Sequence, residues 1–127
     1  MNTLFLNYMA VALGGAIGAI TRYAVSLALP FSDRSLPVGT LFVNGAGSLL
    51  IAIFYVALIE RNALLGVHKE VWMIGFFGAL TTFSTFSLEV VRIFEAGNAW
   101  LAFIYIVLSV IICIVAAFVG LQIARAF

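Results

Sequence analysis

Residues 81–87 read Thr-Thr-Phe-Ser-Thr-Phe-Ser, five hydroxyls in seven positions within a stretch otherwise apolar enough to cross a bilayer. A hydroxyl in hydrocarbon costs free energy unless it finds a partner, so such a run implies something polar that uses it. No charged side chain stands among the seven. The rings of Phe83 and Phe86 interleave with the hydroxyls, and phenyl edges are positive where phenyl faces are negative. Cation pathways use carboxylates or rings of carbonyls, and proton-coupled carriers use intramembrane Asp, Glu or His. Here the middle of every apolar run lacks an acid. Hydroxyl and amide hydrogens with ring edges suit a small anion instead.

Other polar residues recur at helical spacing. Thr40, Asn44 and Ser48 follow i, i+4, i+8, as do Tyr105, Ser109 and Cys113, so each set shares a helix face. Thr81, Ser84 and Ser87 recur every three residues. The plainer reading of any one hydroxyl is a bond back to the i−4 carbonyl of its own helix. Asn44 resists that reading, because its own helix cannot satisfy every donor of a carboxamide. Core packing is the commoner role of phenylalanine, and this chain has 12. Cys113 is the only cysteine, so no intrachain disulfide forms and a small buried hydrophobe is its default role.

The elements that position these residues are membrane spans. Apolar residues make up 65% of the 127 and charged residues 9%, too few polar groups to cover a soluble surface. Four runs reach the roughly 20 residues a bilayer core requires. They set the spans at about 4–29, 38–59, 71–94 and 98–124, one all-α transmembrane domain over residues 1–127. The first run has no preceding Lys or Arg and no Ala-x-Ala site, so it is not read as a signal peptide. Pro30 and Pro37 bracket the first loop, while Gly97 and Asn98 read as a helix stop and an N-cap. Trp72 and Trp100 open spans three and four at headgroup depth. His68, beside Lys69, reads as a solvated loop residue.

Charge placement adds a topological argument. Arg61, Lys69 and Arg125 fall on one side of a four-span chain, and Arg22, Arg34 and Arg92 on the other, three against three. The positive-inside rule has nothing to act on, so the chain is expected to insert both ways and pair with an inverted copy. Four helices cannot enclose a water-filled pore, so a polar path is expected where two copies meet. Gly14 and Gly18, with Gly45 and Gly47, would let helices approach closely at that seam.

Three strings carry a resemblance: Gly14-Gly15-Ala16-Ile17-Gly18-Ala19-Ile20-Thr21-Arg22-Tyr23, Gly39-Thr40-Leu41-Phe42-Val43-Asn44, and Gly75 through Ser87 with Glu89. With matching length and span count, the whole chain resembles the Fluc (CrcB) family of fluoride channels. The resemblance implies an antiparallel, dual-topology homodimer in the bacterial inner membrane, its third span broken at mid-membrane, with two fluoride pores. It implies a pore asparagine at Asn44, pore phenylalanines at Phe83 and Phe86, and span-four pore groups at Tyr105 and Ser109. It implies a structural, untransported Na+ on the backbone carbonyls of Gly78 and Thr81. Thr40, Ser84 and Thr85 join the expected lining. Arg22 either concentrates anions in a vestibule or snorkels to the headgroups. Glu89 either lines the pathway exit or pairs with Arg92 at i, i+3. Ala79 and Ala52 stand where the family usually has glycine, and Cys113 where it has a hydroxyl.

The expected function is passive export of fluoride, and no enzyme is expected. The chain holds no ATP-binding glycine loop, metal-ligand cluster or catalytic triad. The expected partners are fluoride, lipid and a second copy, with no nucleic acid. Two alternatives stay open: a small multidrug-type cation exporter, which needs a membrane-embedded acid, and a non-transporting subunit of a larger complex.

Overall fold

The computed structural model describes residues 2–63 and 66–127. The described residues form four helices long and apolar enough to cross a membrane. Helix α1 is Thr3–Ala28, started by the Asn2 side chain accepting from the Leu4 N–H at 3.2 Å. Leu29 and Pro30 end it, since proline cannot continue the hydrogen-bond ladder. Helix α2 begins at Val38 behind Pro37, runs to Tyr55, and ends in a π-helical turn over Val56–Glu60.

The third apolar segment is not one helix. Its first part, α3 (residues 70–80), is π-helical over Glu70–Phe77 and closes on the α-helical turn Gly78–Leu80. Thr81 is then extended, at φ −78° and ψ 152°, and α4 restarts over Ser84–Glu95. Nothing in the hydrophobic pattern signals the π-helical stretches. His68 and Lys69, expected in a loop, stand in the first helical turn before Glu70.

Gly97 ends α4 as expected. Its φ is +82°, a region open to glycine at no steric cost. Its N–H donates to Phe94 O and the Asn98 N–H to Ile93 O, the paired bonds of a Schellman stop. Asn98 stands at the cap position of α5 (Ala99–Ala126), but its side chain caps nothing. The expected cap is corrected: the Asn98 amide turns instead to Asp33 O at 3.4 Å, tying the first loop to the start of α5.

Glycines decide how the helices pack. A Cβ on Gly14 would overlap the Val71 carbonyl, and one on Gly18 the Phe76 carbonyl. A Cβ on Gly75 would meet Val11 O at 2.8 Å. Helix α1 therefore lies backbone to backbone against α3. On α2, a Cβ at Gly45 would press Ile112 of α5 at 3.0 Å, and one at Gly47 would overlap the Thr81 methyl. The expectation that these four glycines mark a seam between copies is thus overturned. They seat helices of a single chain. Ala52 packs into the same α2–α5 contact, facing Gly120 at 3.0 Å from where a Cβ would stand.

One core cluster, Phe86, Ile93, Ala102 and Tyr105, joins α4 to α5. Another, Val43, Phe77 and Leu80, joins α2 to α3. The outer faces stay apolar and exposed, with Leu13, Ile17, Ile20, Ile114 and Phe118 among them, as lipid contact demands.

Candidate ion pathway

The polar face of α2 points at the break in the third segment. Asn44 Nδ2 donates to Thr82 O at 2.9 Å, and Asn44 Oδ1 accepts from the Thr82 N–H at 2.8 Å. One carboxamide thus satisfies both backbone groups of Thr82. The α-helical ladder stops with the Thr81 N–H on Phe77 O at 3.1 Å. Thr82 donates away from the helix, so the Gly78 carbonyl loses the partner four residues on that helix geometry would give it.

The hydroxyls around the break divide into two kinds. Thr81 and Ser87 bond back to Phe77 O and Phe83 O, as does Ser48 to Asn44 O, at 2.7–2.9 Å. These three follow the plainer reading. Thr82, Ser84 and Thr85 bond among themselves, with Thr82 Oγ1 accepting from the Thr85 N–H at 3.2 Å to start α4.

Thr40, one turn before Asn44, donates to Glu89 Oε1 at 2.7 Å, and Tyr105 donates to Glu89 Oε2 at 2.7 Å. Glu89 is only 6% exposed. The expected Glu89–Arg92 pair is overturned: Arg92 reaches Asp33 at 2.9 Å and lies over the Phe31 ring. Two hydroxyl donors thus reach this buried carboxyl group, one on each oxygen. Glu89, expected at the pathway exit or in a helix-end pair, sits near the end of its segment yet inside the protein.

A cavity of about 250 Å³ opens beside this carboxylate, lined by Arg22, Thr40, Thr82, Thr85 and Glu89, with Tyr23, Ser26 and Gly39. Of the expected residues, Arg22, Thr40, Thr85 and Glu89 therefore meet. A second, open groove of about 470 Å³ is lined by Asn44, Gly78, Thr81, Thr82, Phe83 and Cys113. Thr82 borders both. Tyr105 is fully buried behind Glu89, and the buried Ser109 hydroxyl, one turn further along α5, has no hydrogen-bond partner within ordinary geometry among the described residues. The phenylalanines form a tilted pair with ring centroids 5.5 Å apart. They are not equivalent: Phe86 is 8% exposed and meets Tyr105 edge-on, whereas Phe83 is 78% exposed at the groove mouth. Ser84 is exposed beside it.

Sequence reasoning missed Thr82 as the residue Asn44 holds, because its part is played by backbone atoms that any residue carries. It also missed the Arg125–Glu60 and Arg92–Asp33 ion pairs, whose members lie far apart in the chain. No cluster of three His, Cys, Asp or Glu exists among the described residues.

Fold and site together define a small polytopic membrane protein with an uncharged donor-lined break and one cavity holding a buried carboxylate beside an arginine. Residues 9–121 match the family model described as "CrcB-like protein, Camphor Resistance (CrcB)", and the chain belongs to that family. A "Fluoride-specific ion channel FluC" of Saccharophagus degradans is 44% identical, over 94% of this chain and 90% of its own length. The protein of that name from Methylococcus capsulatus is 45% identical over 94% of this chain, which spans 53% of the longer relative. The one from Magnetococcus marinus is 40% identical over 91% of this chain and 94% of its own.

Proposed function

We propose that this chain is a fluoride-selective channel that lets fluoride leave the bacterial cytoplasm passively through the inner membrane, lowering its toxicity. What carries the reading is the set of relatives named fluoride-specific ion channels, 40 to 45% identical over more than nine tenths of this chain. The donor chemistry agrees with it. Fluoride holds water tightly, so a dry passage must replace hydration with short, fixed hydrogen bonds. Arg22 draws an anion toward the cavity, where Thr40 and Thr85 supply donors, and the buried Tyr105 hydroxyl stands behind Glu89. Ser109 adds a buried hydroxyl that is unpaired among the described residues. Phe83 and Phe86 offer ring edges, Ser84 stands at the mouth, and Asn44 keeps a second amide hydrogen beyond the one on Thr82 O. Thr40 and Tyr105 both hold Glu89, so a passing anion competes with that carboxylate for them.

The working unit in this proposal is an antiparallel homodimer with the break at mid-membrane depth. The even charge split supports dual insertion. The open groove with an exposed Phe83 supports a second copy over the break. The residues at the break fit a structural sodium ion: the Gly78 carbonyl lacks its helix partner, Gly78 is exposed to the groove, and Thr81 is extended beside it. When bound, sodium supplies positive charge between carbonyls that lipid cannot solvate.

Purified chain in liposomes, assayed with a fluoride electrode, tests the function. Fluoride release without chloride release is expected; equal release of both ions, or of neither, overturns it. Buried Glu89 also suits a small multidrug-type cation exporter. Proton-driven uptake of a lipophilic cation by the same vesicles would replace the channel with that reading.

A further inference from the structure

We infer that Asn44 is a positioning residue for the cation: by taking over the Thr82 peptide it opens the helix and leaves the Gly78 carbonyl free to coordinate sodium. This rests on the sodium reading above. In an unbroken helix the Thr82 N–H would donate to Gly78 O, four residues back. Here it donates to Asn44 Oδ1 at 2.8 Å, while Thr82 O takes the Asn44 amide at 2.9 Å. A carboxamide carries the same donor and acceptor as a peptide, so it can replace a backbone partner on both sides at once. An aspartate would keep only the acceptor, and a leucine neither.

Gly47 completes the device from the same helix. A Cβ there would overlap the Thr81 methyl, so its absence seats the extended Thr81 while Asn44 holds Thr82. Two residues of α2, three positions apart, therefore fix two successive residues of the break. Asn44 and both carbonyl residues, Gly78 and Thr81, border one groove. An Asn44 that served only as an anion donor would leave the carbonyls, and so the cation affinity, unchanged.

The full chain in detergent is heated in sodium chloride series, with ionic strength held constant by N-methylglucamine chloride, and exchange of the 81–85 amides is followed in parallel. A cation that binds only the folded protein raises its midpoint with concentration. In the wild type the midpoint is expected to rise with sodium and the Thr82 amide to exchange slowly. For Asn44→Leu, half-saturating sodium should rise at least about tenfold, about 1.4 kcal/mol of lost cation binding. Gly47→Ala should shift it in the same direction, and it decides the matter if Asn44→Leu does not fold. Asn44→Asp, which keeps the acceptor for the Thr82 N–H, should fall between leucine and wild type. Arg92→Gln, whose partner Asp33 lies outside that groove, should keep the wild-type sodium response. Wild-type half-saturation in both Asn44→Leu and Gly47→Ala overturns this inference alone. A wild type indifferent to sodium overturns the cation reading and this inference with it.

Discussion

Helices α3 and α4 come from one apolar segment, yet the molecule treats its two halves in opposite ways. The first half lies against α1 through Gly14, Gly18 and Gly75, with carbonyls where side chains would otherwise be. No side-chain hydrogen bond crosses that contact among the described residues. The break and the second half face α2 and α5, with Asn44 hydrogen-bonded to Thr82 of the break and Thr40 and Tyr105 to Glu89 of α4. Close packing fixes the first half by shape, and polar bonds fix the second by direction. The difference teaches where function can sit. A backbone seam admits no solute, whereas a hydroxyl or amide held by a hydrogen bond can be exchanged for one to an ion.

The comparison breaks most severely at the seam. Gly18→Leu puts a branched side chain where even a methyl overlaps the Phe76 carbonyl, and backbone cannot yield as a side chain end can. Overpacking of this kind costs about 1–3 kcal/mol where side chains can adjust, and more against backbone. Little monodisperse protein should elute on size exclusion, with Gly14→Leu behaving alike.

On the polar half the loss is smaller and chemically specific. Tyr105→Phe or Thr40→Val removes one of the two donors on buried Glu89, and leaving a buried polar group short of a partner costs about 1–3 kcal/mol. Thermal unfolding checks that cost. Fluoride efflux should fall in the same variants, as donors on the proposed path are lost.

The two rings sharpen the contrast further. Phe86→Ile, within the α4–α5 core, should destabilise by about 1–2 kcal/mol, whereas Phe83→Ile, at an exposed site, should stay within about 0.5 kcal/mol. Both should lower fluoride efflux if ring edges serve the pathway. Unchanged efflux from both removes the rings from the mechanism. Smallest of all is Arg92→Gln. Its half-exposed pair with Asp33 is worth less than about 1 kcal/mol, and efflux should match wild type.

How much of this was legible beforehand follows from the same division. Four apolar runs specify four helices because hydrocarbon tolerates no other open-ended backbone. The i, i+4 spacing of Thr40, Asn44 and Ser48 gave a real face, and two of its three members do reach across to the third segment. Which partner they reach was not legible. Asn44 meets peptide atoms common to every residue, and Thr40 meets an acid 49 positions away. The small-residue stripes failed for a related reason. A Gly-xxx-Gly face says that something approaches closely, but sequence cannot distinguish a helix of the same chain from one of a second copy. Glu89 and Arg92 looked like a helix-surface pair because spacing reports who is near on one helix, not who is nearer across the fold. Asp33 and the two hydroxyls won.

The central claim is that neutral donors at this break, rather than fixed charge, select the smallest halide. The most direct measurement is the reversal potential of the purified chain in a planar bilayer with fluoride on one side and chloride on the other. The claim calls for a potential close to that of a membrane permeable to fluoride alone. A potential near zero, with chloride carrying comparable current, would contradict it.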